Sequence, residues 1–186
     1  MIAFFLKTKH FVPDQHVENV CKIDFDKLYE SGIRVLLVDL DNTLIPYDVD
    51  LPNDEIKALF LRLKAIGFSS VIISNNRKSR VEPCSNVLGI DYVSSAKKPL
   101  KSGFKKALKK LQETPSPNQV FVIGDQLMTD VFGAKRLGYS VGLVEPIKVR
   151  SEKWYTKFNR SLERQMLKKI YRKNPEAYQD LKLKKR

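Results

Sequence analysis

The chain has 186 residues, 42% hydrophobic and 10% aromatic, enough for one substantial core with an extension but not for two full domains. Its 34 Lys and Arg against 21 Asp and Glu give a net charge of +13, and eight Gly and nine Pro exclude a collagenous or low-complexity chain. Apolar stretches such as residues 2–6, 35–38 and 71–73 fall far short of the ~20 residues of a membrane-spanning helix. The run at 2–6 follows no basic segment and has about half the length of a signal-peptide core. The expectation is therefore a cytoplasmic protein with no transmembrane segment, peripheral contact with a membrane remaining open. Cys21 and Cys84 stand apart without metal-ligand or redox spacing, and His10 and His16, six apart, do not make a zinc site.

From Gly32 onward, short β-branched runs alternate with longer segments of helical period. Residues 33–39 read as a buried strand, continuously apolar after Arg34. Ile56, Leu59, Phe60, Leu63 and Ile66 follow helical spacing, with Asn53 as N-cap and Gly67 as stop. Residues 70–74 form the second strand, and a helix over 80–88 is started or kinked by Pro83. A short strand at 91–94 follows, then a helix marked by Phe104, Leu108 and Leu111 and closed by the turn Thr114-Pro-Ser-Pro117. The pattern ends with a strand at 119–124, a helix at 129–137 stopped by Gly138, and a strand at 140–144.

Strands alternating with helices predict a mainly parallel sheet in a doubly wound, three-layer α/β/α (Rossmannoid) fold over about residues 32–146. The last 36 residues differ in character. They hold twelve basic residues against four acidic ones, a net of +8 that leaves +5 for residues 1–150. Tyr155, Phe158, Leu162, Met166 and Ile170 recur at three and four, the mark of a basic amphipathic helix. The expected division is an α/β domain with its N-terminal extension over 1–150, and a basic helical extension over 151–186. In the extension, residues 154–171 pack as structure, 172–186 act as an electrostatic tether and the last six fray.

The chemistry concentrates where strands end. In Val38-Asp-Leu-Asp-Asn-Thr-Leu44 an apolar strand runs out into two carboxylates, Asp39 and Asp41, which strand geometry points to one side. Like charges that close need a cation or a shared proton. The second strand ends in Ser74-Asn75-Asn76, a hydroxyl and two amides suited to phosphate oxygens, and Lys97-Lys98-Pro99 follows the third. A lysine pair alone usually marks a solvated surface. The fourth strand ends in Gly124-Asp125-Gln-Leu-Met-Thr-Asp130, adding two more acids. In open α/β sheets the carboxyl ends of strands are where ligands bind, and this inventory suits Mg²⁺ and a phosphate.

The ordered set resembles the four motifs of the haloacid-dehalogenase (HAD) superfamily. Together with Phe11-Val-Pro-Asp14, Ala96-Lys-Lys-Pro99 and Lys157-Phe-Asn-Arg160, it is similar to the YqeG family of cap-less, IIIA-type phosphatases. The resemblance implies a HAD-like fold, Mg²⁺ as cofactor and a phosphorylated substrate. It makes Asp39 the nucleophile that becomes an aspartyl-phosphate, and Asp41 the acid that protonates the leaving oxygen and later activates water. It gives the metal to Asp39, the Asp41 backbone carbonyl, Asp125 and Asp130. Ser74, the amide of Asn75, and Lys98 would hold the phosphoryl oxygens, with Lys97 the alternative within the pair. Thr43 would brace the loop.

Capped relatives insert a lid between the first and second motifs or between the second and third. Here neither interval has room for more than a helix, a strand and short loops, so the site should be open to a phosphate displayed on something large. The family's similarity to mitochondrial phosphatidylglycerophosphate phosphatases makes that lipid the first candidate, and the basic tail suits an anionic membrane. The alternatives are a protein or polynucleotide phosphatase, or an RNA- or ribonucleoprotein-binding protein on the same scaffold.

Overall fold

The computed structural model of the protein describes residues 7–111, 114–147, 154–181 and 183, with backbone alone for residues 154–161. Its strands are β1 (Gln15–Val17), β2 (Val35–Val38), β3 (Ser69–Ile73), β4 (Asp91–Val93), β5 (Val120–Gly124) and β6 (Ser140–Val144). They form one sheet in the order β1–β6–β5–β2–β3–β4, every pair parallel. Every residue of the central strands β2 and β5 is buried, which is why both read as unbroken apolar runs.

Alternate residues of β2 serve opposite faces. Val35 and Leu37 join one core cluster, Leu36 and Val38 the other. The second cluster is covered by α1 (Phe25–Glu30), α2 (Asp54–Ile66) and α3 (Lys78–Leu88) through Phe25, Phe60, Leu63 and Val81. The first is covered by α4 (Lys101–Leu108), α5 (Phe132–Lys135) and α6 (Trp154–Lys173) through Phe104, Ala134, Met166 and Ile170. This is the expected three-layer α/β/α architecture, with one helix between β2 and β3 and one between β3 and β4. The Asn53 side chain caps α2 by accepting from the Ile56 amide at 3.0 Å, and Gly67 stops it at φ 108°. Pro83 lies inside α3 rather than at its start.

Three expectations are corrected. The sheet does not begin at residue 32, because β1 extends it at the edge of β6. Asp14 fixes that register: its carboxylate accepts from the Val141 amide (2.6 Å) and from Lys135 Nζ (2.7 Å). A half-buried, three-residue strand has too little period to be read from sequence. The helix expected over 129–137 is instead a π-turn, Leu127–Val131, followed by the short α5. The wide turn lets Asp130 Oδ2 reach back to accept the Gln126 amide at 3.1 Å.

The third correction concerns the tail. Asn174 caps a further helix, α7 (Pro175–Asp180), through a 3.2 Å bond to the Ala177 amide, and Pro175 occupies its first turn. The chain thereby doubles back. Tyr178 meets Tyr171 edge-on, His16 Nδ1 bonds the Leu181 carbonyl at 2.8 Å, and Leu183 is fully buried in the first core cluster. Residues 171–181 and Leu183 are thus attached to the domain, not a free tether. The apolar run at 2–6 lies outside the described residues, as do the side chains of the Lys157–Arg160 motif. Among the described residues no helix is long and apolar enough to cross a membrane.

From β2 the chain adds β3 and β4 on one side, then crosses back to place β5 on the other. The order therefore reverses between β2 and β5, and their diverging carboxyl ends leave the crevice in which such sheets bind ligands.

Candidate active site

Asp39 follows β2 directly, its amide still donating to the Ile123 carbonyl (2.8 Å), and Asp125 follows β5 across the crevice. The loop after Asp39 is tight. The Leu40 carbonyl accepts the amides of Thr43, Leu44 and Ile45, and Asn42 takes the left-handed conformation at φ 63°. Thr43 is buried and its hydroxyl lies 3.4 Å from Asp39 Oδ2, beneath the carboxylate as a brace. The loops after β3 and β4 are zipped together, Ser95 to Asn76 (2.7 Å) and Ala96 to Ser74 (3.0 Å), which draws Lys98 toward Ser74. Ser74 itself is buried at the strand end, its hydroxyl accepting the Asn76 amide.

Asp39, Asp125 and Asp130 are all buried, and each offers an oxygen such that the three lie within 4.8 Å of one another. Lys98 sits among them, its ammonium donating to Asp39 Oδ1 at 2.5 Å and to Asp130 Oδ1 at 2.6 Å. The Asn75 side chain clasps the Lys98 backbone on both sides, accepting from its amide (2.6 Å) and donating to its carbonyl (3.0 Å). Lys97, by contrast, is exposed. The geometry thus brings Asp39, Asp125, Asp130 and Lys98 together, sets Ser74 at the end of the neighbouring β3, and leaves Lys97 outside. Asn75 reaches Lys98 with its side chain, holding the lysine's backbone from both sides.

The electrostatics follow from burial. Desolvation pushes the Asp39 carboxyl up to about 7, reinforced by Asp130 and Asp41 and opposed by Lys98. Burial alone would discharge Lys98, but Asp130 and Asp39 outweigh it and hold its pKa above the ordinary lysine value. One ammonium faces three carboxylates, so the fully ionised cluster carries an excess of two negative charges. Closely spaced hard oxygen donors with that excess fit a divalent cation such as Mg²⁺.

Asp41 departs from the expected pairing. Its carboxylate is not part of the trio but takes Arg80 Nε on Oδ1 (2.9 Å) and Asn76 Nδ2 on Oδ2 (3.2 Å). The strand ends at Val38 and the chain turns sharply through Asn42, so the two acids do not keep a strand's common side. Arg80 also donates to the Pro46 carbonyl (3.0 Å) and Asp50 Oδ1 (2.9 Å), tying the loop after Asp41 to the start of α3.

Arg80 and Glu163 were not singled out in the sequence, nor was the role of Gly124. A charged residue within a helical run looks solvated until its tertiary neighbours are known. Glu163, on α6, is buried and accepts the Leu127 amide at 2.6 Å. Gly124 had a readable signal, small and directly before an acid. A Cβ there would meet the Asp130 carboxyl carbon at 2.3 Å, so only glycine lets Asp130 lie against the strand end.

Sequence and structure comparisons agree with this layout. The profile of the haloacid dehalogenase-like hydrolases matches residues 14–138. The probable phosphatase YqeG of Bacillus subtilis is 37% identical over 165 residues, covering 89% of this chain and 94% of that protein. Phosphatidylglycerophosphate phosphatase 1, a chloroplastic and mitochondrial protein of Arabidopsis thaliana, is 26% identical over 184 residues. That match covers 92% of this chain but 52% of the plant protein, so the chain spans about half the length of that relative. Among solved structures, the 3-deoxy-D-manno-octulosonate 8-phosphate phosphatase of Moraxella catarrhalis, in complex with magnesium and phosphate ions, shares the fold. Its TM-score is 0.50 at 19% identity, over 66% of this chain and 75% of that one.

Proposed function

The chain belongs to the YqeG branch of the haloacid dehalogenase-like hydrolases, and on that premise we propose that it is a Mg²⁺-dependent phosphatase that hydrolyses a phosphate monoester through an aspartyl-phosphate. The observation that carries this reading is the buried trio of Asp39, Asp125 and Asp130 around a single lysine at the switch point of the sheet.

In this mechanism an Asp39 carboxylate oxygen attacks phosphorus, and the bond from phosphorus to the ester oxygen breaks. Asp41 gives the departing oxygen its proton, then takes one from the water that attacks the phosphorus of the acyl phosphate. Inorganic phosphate leaves and the Asp39 carboxylate is restored. Ser74, the backbone N–H of Asn75, and Lys98 hold the phosphoryl oxygens and offset their charge. Asp39, Asp125, Asp130 and the Asp41 carbonyl would hold Mg²⁺, which when bound supplies positive charge against the phosphate oxygens. The role of a pure RNA or ribonucleoprotein binder is not favoured, since three buried carboxylates repel a phosphate backbone and serve no purpose in holding one.

Phosphatidylglycerophosphate is the first substrate to test. The plant relative bears that name, and the intervals between β2, β3 and β4 hold no lid that would exclude a bilayer-borne phosphate. The experiment is a phosphate-release assay, with Mg²⁺ and then with EDTA, across phosphatidylglycerophosphate, nucleotides, phosphorylated RNA ends and phosphopeptides. Release that is lost in EDTA, restored by Mg²⁺ and absent in Asp39→Asn is the expected result. Release that persists in EDTA would refute the metal, and release by Asp39→Asn would refute the nucleophile.

A further inference from the structure

We propose that Glu163 is a positioning residue for the metal side of the active site, which makes the C-terminal helix α6 a working part of the catalytic domain. The inference rests on the proposed metal-binding role of Asp125 and Asp130. A carboxylate as buried as Glu163, 4% exposed, is costly unless something in the fold requires it. Its Oε1 accepts the amide of Leu127, two residues beyond Asp125 and the first residue of the π-turn that ends at Val131.

The N-terminal amides of any helical turn lack intrahelical partners. In this turn, two successive ones are satisfied by carboxylates from different places. Gln126 N–H donates to Asp130 Oδ2, inside the loop, and Leu127 N–H donates to Glu163, from the tail. The segment joining Asp125 to Asp130 is therefore clamped from both sides. Its side chains do the same, Leu127 and Val131 being fully buried in the cluster that also holds Met166 and Ile170 of α6. A charged acceptor at 2.6 Å is the strong form of such a bond. Residues that orient metal-binding groups typically change metal affinity about 10–100-fold when removed. A helix joined to the domain only by its apolar stripe would need no such group.

The test uses the full chain and two readouts. The first is Mg²⁺ affinity by titration calorimetry. Glu163→Leu, which keeps the bulk and removes the acceptor, should weaken Mg²⁺ binding at least about tenfold, and Glu163→Gln, which keeps an acceptor oxygen, should restore most of it. Met166→Ala, which loosens the same apolar cluster but leaves the Glu163 hydrogen bond to the Leu127 amide in place, should lower thermal stability while weakening Mg²⁺ binding far less than Glu163→Leu. The second readout, hydrogen exchange of residues 125–131 in EDTA, needs no metal. Exchange there should quicken much more in Glu163→Leu than in Met166→Ala. Should Glu163→Leu fail to fold, Glu163→Asp, one methylene too short, should show both effects in weaker form. Unchanged Mg²⁺ affinity and exchange in the Glu163 variants, or equal effects from Met166→Ala, would overturn the inference and leave Glu163 a docking contact. A parent protein that binds no Mg²⁺ would overturn the metal reading instead, while the exchange experiment still reports on the clamp.

Discussion

Replacing Asp39 with Asn should stabilise the metal-free protein at the same time as it abolishes turnover. Burial, with Asp130 and Asp41 nearby, raises the Asp39 carboxyl from 3.8 to about 7 in the folded state. Between these values the folded protein keeps a proton that the unfolded chain has lost, so this group's contribution is fully present below 3.8 and is lost as pH rises through about 7. Each pH unit in that window costs about 1.4 kcal/mol, so from about pH 5 to about pH 7 the parent loses up to ~3 kcal/mol through Asp39 alone. For a domain of this size that is roughly 6–12 °C in Tm as a ceiling. The amide in the variant is neutral throughout and lacks this loss, while Lys98 keeps its ion pair with Asp130 in both proteins. Thermal unfolding in EDTA at about pH 5 and about pH 8 should therefore show the variant's advantage widening with pH, and added Mg²⁺ should restore much of the parent's deficit at the higher pH. A difference between variant and parent that does not change with pH would refute the reasoning, as would a parent whose relative stability rises with pH.

Lys98→Ala should lower turnover by about 10²–10³-fold and destabilise the fold by roughly 3–5 kcal/mol near neutral pH, because two buried carboxylates lose their ammonium. Lys97→Ala should change stability by less than about 0.5 kcal/mol and leave turnover near normal, and reversal of this order in steady-state kinetics would overturn the assignment within the pair. Gly124→Ala should push the Asp130 carboxyl away from the strand end and weaken Mg²⁺ binding in calorimetry, since the new methyl group would fall 2.3 Å from its Cγ. Arg80→Ala should slow hydrolysis of esters with poor leaving groups more than those with good ones, because Asp41 loses the 2.9 Å contact that aims it. Equal losses for both ester classes would make Arg80 a loop anchor only. Leu183→Ala should cost about 2–3 kcal/mol in denaturant unfolding, a loss that a frayed terminus could not produce.

The strands and their carboxyl ends were legible because each buried parallel strand is an unbroken apolar run, and the residues just past such a run must turn and can bind. Asn53 and Gly67 announced the ends of α2 for equally local reasons, a side-chain cap and a left-handed stop. The trio, with Lys98 among it, was readable as residue types at strand ends, although only the three-dimensional structure separates Lys98 from Lys97. The features that escaped reading depend on long-range placement. β1 is three half-buried residues whose partners lie 127 positions away, from Gln15 to Gly142. Arg80 and Glu163 sit in helices where polar residues are ordinary, and their meaning comes from an acid or an amide on another element. The return of the tail depends on Asn174 and Pro175 starting a second helix, and the density of lysines hid Leu181 and Leu183 among charges.

That same pairing of β1 with β6 governs how the protein is made. β1 is synthesised first among the strands, yet its ladder to Gly142, Leu143 and Val144 cannot form until those residues have emerged. At about 5–20 residues per second, the wait is roughly 6–25 s. In the last part of that interval, once β5 has emerged and β6 has not, the growing sheet ends at β5, a strand buried at every position in the finished fold. A nascent chain stalled before residue 140 therefore presents an apolar, unpaired strand edge, the surface from which wrong pairings grow. Asp14 accepts from the Val141 amide and pairs with Lys135, so this one acid ties the entry to the first strand to both ends of the segment that leads into β6.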